Sequence, residues 1–361
     1  MGKQFISTQI IRGHKSDVYD VAVCSKFTIS VSGDGHLKAW SHKGEEEPAN
    51  DLLVDSLGLH HVDFWEHDGI LIIGTVAFSG ILYLFQYIDN ELAPLKCELK
   101  KNNWALKFHV GVEDQKHRLL TTQNNGNAEV YELTVEEGKI SLQHEKTLED
   151  LNRTFALSID VSSTEDSKIA IGYMNGTVSL YDLRTLRSSY TFTSTAIKSE
   201  SSAVRCVRFS PGGTLLAVAS DSESYGTIAL YDVKFGEMAG SLIAPTNSNH
   251  AVGAGFAHER WCFSLDFNQD GSFLASGGMD QKVRIWDVTT REVEATITMA
   301  LTDLPDDQLT DDLNSKSNIG CLSLKYFGKG IRQIDGDDRN EGLVLVGLDQ
   351  SVRWYREAGG V

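Results

Sequence analysis

The stretch from His258 to Asp287, HERWCFSLDFNQDGSFLASGGMDQKVRIWD, is the clearest copy of a pattern that recurs from one end of the chain to the other. Each copy has an apolar strand of period two, a turn and a second strand running into small residues. A Gly/Asp/Asn turn and a third strand closing on an aromatic follow. The closing aromatics are Trp40, Phe85, Tyr131, Tyr181, Tyr231, Trp286 and Tyr355. They stand roughly 45 to 70 residues apart, the period of a propeller blade with insertions. Six positions before them lie Asp34, Ser79, Asn125, Asn175, Tyr225, Asp280 and Asp349. Five of these are the Asp or Asn that a tight hairpin favours. The first strands repeat as well, in VYDVAV (18–23), WALKF (104–108), FALSIDV (155–161), VRCVRF (204–209), WCFSLDF (261–267) and CLSLKYF (321–327). Seven copies predict an all-β, seven-bladed propeller.

The chain has 361 residues, about 52 per blade, which suits a four-stranded sheet with its loops. The last copy stops at its third strand, SVRWY (351–355), whereas the chain opens with an extra β-like run, FISTQII (5–11). The N-terminal strand is therefore expected to complete the final blade and close the ring. Residues 1–361 then form one domain. Two acidic insertions, 301–317 and 331–341, break the spacing and read as solvated, mobile loops.

Composition narrows the function. The net charge of −17 and the absence of a Lys/Arg run disfavour direct nucleic-acid binding. No apolar run is long enough to span a bilayer, and MGKQFIST lacks the apolar core of a signal peptide. The five cysteines, Cys24, Cys97, Cys206, Cys262 and Cys321, show no paired spacing and no zinc-ligand pattern. They read as small core hydrophobes of a protein in a reducing compartment. No cofactor or metal is expected.

His14, Ser30, Asp34 and Trp40 recur as His258, Ser276, Asp280 and Trp286. A catalytic triad occurs once, whereas this set occurs at matching places in two blades. It reads as a hydrogen-bond chain, Asp to His to Ser to Trp, that ties a hairpin to the preceding loop. The chain offers no unrepeated nucleophile or acid/base group, so it is read as non-enzymatic.

The His-to-Trp-Asp blocks resemble WD repeats, and in WD-repeat propellers three positions per blade reach the top face. One follows the first apolar position of the first strand: Tyr19, His60, Trp104, Leu157, Arg205, Phe263 and Leu322. The second lies two residues earlier: Asp17, Gly58, Asn102, Phe155, Ala203, Trp261 and Gly320. The third precedes the hairpin Asp: Gly33, Phe78, Asn124, Met174, Ser224, Met279 and Leu348. A solvated rim would be polar; this one is rich in Trp, Phe, Met and Leu. Such a patch marks an interaction surface. Asp17, Tyr19, His60, Phe78, Trp104, Leu157, Met174, Arg205, Trp261, Phe263, Met279 and Leu322 are the candidate contact residues. Asp17 and Asp20 could form an acidic edge for a partner's Arg.

Several segments are more specific: VSGDGHLKAW (31–40), GLHHVDFW (58–65), AFSG (77–80), NWALKF (103–108), the run at 207–246, FAHERWCFSLDF (256–267) and LDQSVRWYREAGG (348–360). Together they resemble the WD-repeat subunit of the fungal superkiller complex over essentially the whole chain. Departures concentrate near 90–100 and 300–340. The resemblance implies a scaffold subunit that binds a tetratricopeptide-repeat protein and, with it, a DExH RNA helicase. That assembly feeds mRNA 3′ ends to the exosome in the cytoplasm. It also implies a nuclear pool in meiosis that supports the protein forming double-strand breaks. The alternative is a WD-repeat adaptor of another assembly, such as a chromatin or transcription-elongation complex or a ubiquitin ligase.

Overall fold

The computed structural model describes residues 2–359 apart from 113–114, 137, 151–152, 165, 194–201, 246–254, 306–308, 310–318 and 333–339. The described strands fall into seven four-stranded antiparallel sheets. The innermost strands of blades 1 to 7 are Val18–Val23, Leu59–His67, Asn103–His109, Ala156–Val161, Val204–Phe209, Cys262–Phe267 and Cys321–Phe327. Each of these packs against its neighbours around the ring, including blade 7 against blade 1. The chain is a seven-bladed β-propeller.

The strand Gln4–Ile11 pairs antiparallel with Val352–Ala358, so it is the outer strand of blade 7. Closure is reinforced inside the seam. Trp354 is fully buried, meets Trp40 edge to face at 6.1 Å and donates its indole N–H to Thr28 Oγ1 at 3.1 Å. The core is a series of interblade layers in which aliphatic side chains of one sheet meet those of the next.

The hairpin Asp and Asn residues act alike. Asp34, Asn125, Asn175, Asp280 and Asp349 each accept, through a side-chain oxygen, the backbone N–H two residues later. Both repeated tetrads are assembled. Trp40 donates to Ser30 Oγ at 2.9 Å, and Ser30 lies 2.8 Å from His14 Nε2. His14 Nδ1 lies 3.2 Å from Asp34. In blade 6 the corresponding distances are 2.8, 2.8 and 2.9 Å. Burial opposes ionisation of Asp34 and Asp280, yet their histidine and other hydrogen-bond donors hold both carboxyls well below the usual range. Burial lowers the pKa of His14 and His258, so each passes the chain on as a neutral ring.

The acidic insertions lie largely outside the described residues, and their described ends are not free loops. Leu301–Asp303 forms a 3₁₀ turn, Leu304 is buried, and Asp303 accepts from Arg353 at 2.6 Å. Glu341 accepts from Asn268 and from the N–H of Gln269 in blade 6. These contacts correct the reading of both segments as simply solvated.

Candidate partner-binding face

A β-bulge interrupts the innermost strand of every blade near its first residue. A bulge puts two residues opposite one and re-aims a side chain. The skipped residues are Tyr19, His60, Trp104 with Ala105, Leu157, Arg205, Phe263 and Leu322. Released from the ladder, the side chains of these seven leading residues line a pocket of ≈ 360 Å³ at the mouth of the central channel. Phe78, Met279 and Leu348 join them from the hairpins between second and third strands, and Trp261 from the loop entering blade 6.

One wall is a continuous arc of rings. Tyr19 meets Phe78 at 5.1 Å, Phe78 meets His60 at 4.7 Å, His60 stacks on Trp104 at 4.3 Å, and Trp104 meets Phe155 at 4.9 Å. His60 is buried in this arc; burial and the adjacent His61 push its pKa far down, which keeps the ring neutral and stackable. On the opposite wall Arg205 lies over Trp261 and Phe263, 4.8 and 5.3 Å from their centroids. Asp221 grips its guanidinium at 2.9 and 2.7 Å. This wall is thus pre-ordered, and each wall leaves one ring partly open to solvent, Trp261 here at 38% exposure and Phe78 in the arc at 43%.

The floor is charged. The fifth residue of each described innermost strand, from blade 2 to blade 7, is Asp63, Lys107, Asp160, Arg208, Asp266 and Lys325, alternating in sign. Lys107 lies 3.5 Å from Asp63 and 3.7 Å from Asp160; Arg208 lies 3.3 Å from both Asp160 and Asp266. Blade 1 has Ala22 here, and Asp20 takes over from two positions earlier. Asp20 accepts from Ser323 Oγ in blade 7 at 2.6 Å and from the N–H of Val62 in blade 2 at 2.9 Å.

Asp20 is therefore bound into the ring rather than an open edge for an arginine. Of the candidate contact residues, Asp17 and Met174 do not line the pocket. The backbone carbonyl of Asp17 accepts from Gly33 N–H, and Met174 is 57% exposed with its N–H held by Phe155. The other ten candidates converge. Sequence reasoning missed Arg284, which is buried and donates to Asp280 at 2.9 Å within the blade 6 tetrad.

The model for the WD domain, G-beta repeat, matches residues 5–41, 190–232 and 252–287. The first match runs from the outer strand of blade 7 into the third strand of blade 1, so the sequence repeat is offset from the blade by one strand. Antiviral protein SKI8 of Saccharomyces cerevisiae is 38% identical over 404 aligned positions, covering 100% of both chains. This chain belongs to the SKI8 family of WD-repeat proteins. Meiotic recombination protein rec14 of Schizosaccharomyces pombe is 27% identical over 66% of this chain and 73% of its own. WD repeat-containing protein 1 of Gallus gallus is 28% identical over 54% of this chain but only 29% of its own length. SKI8-family membership thus rests on the whole ring, whereas the likeness to the last protein covers part of it. Among the described residues no helix is long and apolar enough to cross a membrane, and no group of metal-ligating side chains assembles.

Proposed function

We propose that this chain is a non-catalytic scaffold subunit of a superkiller complex, assisting the cytoplasmic exosome in 3′–5′ mRNA decay. The observation that carries this reading is the 38% identity with SKI8 across both whole chains. Its direct partners are a tetratricopeptide-repeat scaffold protein and, through the assembled complex, a DExH RNA helicase. The similarity to rec14 supports a second, nuclear role in meiotic double-strand-break formation. The bulge-lined pocket supports the mode of action: rigid aromatic anchors, a desolvated centre and a polar floor are the features of a hot-spot region. A repeated Ser/His/Asp set already used in hydrogen bonds to Trp supports structural rather than catalytic roles for those residues.

Affinity purification of the tagged chain, followed by mass spectrometry, tests this reading. Vegetative cells are expected to yield the tetratricopeptide scaffold and helicase, and meiotic cells the break-forming protein. Trp261→Glu should lower recovery of the direct partners at least about tenfold, since hot-spot truncations cost about 2 kcal/mol or more. Its unfolding temperature should change little, because Trp261 is partly exposed. Recovery of a chromatin complex or ubiquitin ligase, without scaffold and helicase, would overturn the proposal.

A further inference from the structure

A second crevice, of ≈ 320 Å³, lies between blades 7 and 1 and is lined by Ser25, His42, Lys43, Gly330, Ile331 and Arg332. These residues belong to the turns that join first to second and third to outer strands, so the crevice opens on the face opposite the aromatic pocket. Arg332 is only 3% exposed, and its guanidinium carbon lies over Trp354, 3.9 Å from the ring centroid. Its Nη2 donates to Gln9 Oε1. Its Nε and Nη1 are buried with no hydrogen-bond partner, whereas the His42 ring lies against the backbone of Ser25 and Phe27.

Other buried arginines with side-chain ion pairs show what is missing. Arg118 pairs with Glu145, Arg284 with Asp280, and Arg353 with Asp349 and Asp303. Arg356, beside Arg332, gives its N–H groups to backbone carbonyls of Ile331, Arg332 and Asn340. No carboxylate among the described residues pairs with Arg332. Glu66, the acidic group nearest His42 in its effect, is engaged by both the N–H and the hydroxyl of Ser25. A buried cation without a counter-charge is strongly disfavoured, because its lost hydration is not replaced. Water would satisfy the N–H groups but leave the charge; an oxyanion satisfies both. The space also exceeds the ~30 Å³ share of one water.

We propose that this crevice is a binding site for a phosphate-class oxyanion, either inorganic phosphate or the phosphomonoester of a partner's serine or threonine. Arg332 supplies the fixed charge and Lys43 a flexible ammonium at the rim, with His42 beside them in the lining. The site is independent of the top-face pocket. Burial first, and then Arg332, push the His42 pKa down to about 4, although the backbone of Ser25 and Phe27 and the Glu66 carboxylate pull it back. Burial and Arg356 lower Arg332 to about 9. An anion between the groups would raise both.

Isothermal titration of the full chain with inorganic phosphate, O-phosphoserine and sulfate at constant ionic strength tests the site. Histidine C2–H NMR reports His42 in parallel. Saturable phosphate binding is expected, with a His42 pKa that rises on saturation. Arg332→Gln should weaken binding at least about tenfold, the scale of a charged hydrogen bond. Lys43→Gln, at an exposed position, should weaken it severalfold without any risk to folding. Tighter binding of O-phosphoserine identifies the ester source, and tighter binding of phosphate the free ion. Absence of saturable binding, or binding unchanged in Arg332→Gln and Lys43→Gln, would overturn the proposal. So would binding seen only after Asp335, Asp337 and Asp338 are all changed to Asn, since the chain's own carboxylates would then be the occupant.

Discussion

Asp160 of blade 4 accepts the backbone N–H of Phe209 in blade 5 at 2.8 Å, and the same carboxylate lies 3.3 Å from Arg208. The contact is repeated at alternate seams. Asp63 accepts from Phe108 N–H, and Asp266 from Tyr326 N–H, each at 2.8 Å. An innermost strand has no further strand on its channel side. At Asp160 one carboxylate oxygen thus fixes the next blade's height while the other meets the next blade's Arg208. Asp63 uses Oδ2 for both Phe108 N–H and Lys107, and Asp266 turns its second oxygen to Arg208 of the preceding blade. Lys325 is the poorest served member: burial and Arg208 push its pKa down, whereas Asp266 and Asp20 pull it back.

Asp160→Ala should therefore destabilise the ring by about 3–5 kcal/mol, the cost of breaking one side of a buried ion pair. Asp160→Asn keeps an acceptor for Phe209 but not the charge, and should cost less. Urea unfolding of both variants checks the order. Equal, small losses would show that the alternation carries no stability.

The two tetrads differ in a way that local pattern did not reveal. In blade 6, Asp280 answers both His258 and the buried Arg284; in blade 1, Asp34 answers His14 and backbone N–H groups. Asp280→Ala leaves a buried guanidinium unpaired, whereas Asp34→Ala leaves only neutral donors. The first should cost about 3–5 kcal/mol and the second about 1–3 kcal/mol. Denaturant midpoints of the two single variants decide this; a larger loss for Asp34→Ala would refute it.

The blades, their number and the closing strand were legible because each rests on local alternation and on turn chemistry within a few residues. So was most of the top face, since the repeat register, combined with the positions that reach the top face in WD-repeat propellers, placed Tyr19, Trp104, Phe263 and their counterparts. The cause of that placement, a bulge in each innermost strand, left no mark in composition. The alternating charges were in plain view in the sequence. Their meeting depends on ring closure, which brings together positions separated by a whole blade. Arg284 and Arg353 carry no local signal of burial: Arg284 is held by Asp280 of the tetrad, and Arg353 by Asp303 and the carbonyl of Ala300 beyond blade 6. Asp303 reads with its acidic neighbours, although it reaches the buried guanidinium of Arg353.

The closing strand makes another prediction. Deleting residues 2–11 removes every pairing of Gln4–Ile11 with Val352–Ala358 and bares an edge beside Trp354. The loss should take a large part of the ~5–15 kcal/mol typical of a folded domain and promote association through the open edge. Thermal unfolding and light scattering of the truncated chain measure both effects. An unchanged unfolding temperature would mean that closure does not depend on this strand.

Acid should weaken the fold well before carboxylates titrate. Burial lowers His60 to about 2, and His61 and His109 to about 4, and it also lowers His14 and His258. In the unfolded chain each histidine takes up its proton near pH 6.5. Between that value and the lower folded pKa the unfolded state holds more protons, so stability falls as pH falls. A single such histidine contributes a slope that approaches about 1.4 kcal/mol per pH unit once the pH is well below 6.5. Below about pH 4 the depressed carboxyls of Asp34 and Asp280 add a second loss of the same sign. Urea unfolding between pH 7 and pH 5 should show the first loss, and His60→Phe should remove about 2 kcal/mol of it, an average slope of about 1 kcal/mol per pH unit. Phenylalanine can keep the stack on Trp104 but cannot bind a proton, so the slope tests titration even if the absolute stability shifts. A slope identical to that of the parent chain would mean that His60 is not held neutral by the arc of rings around it.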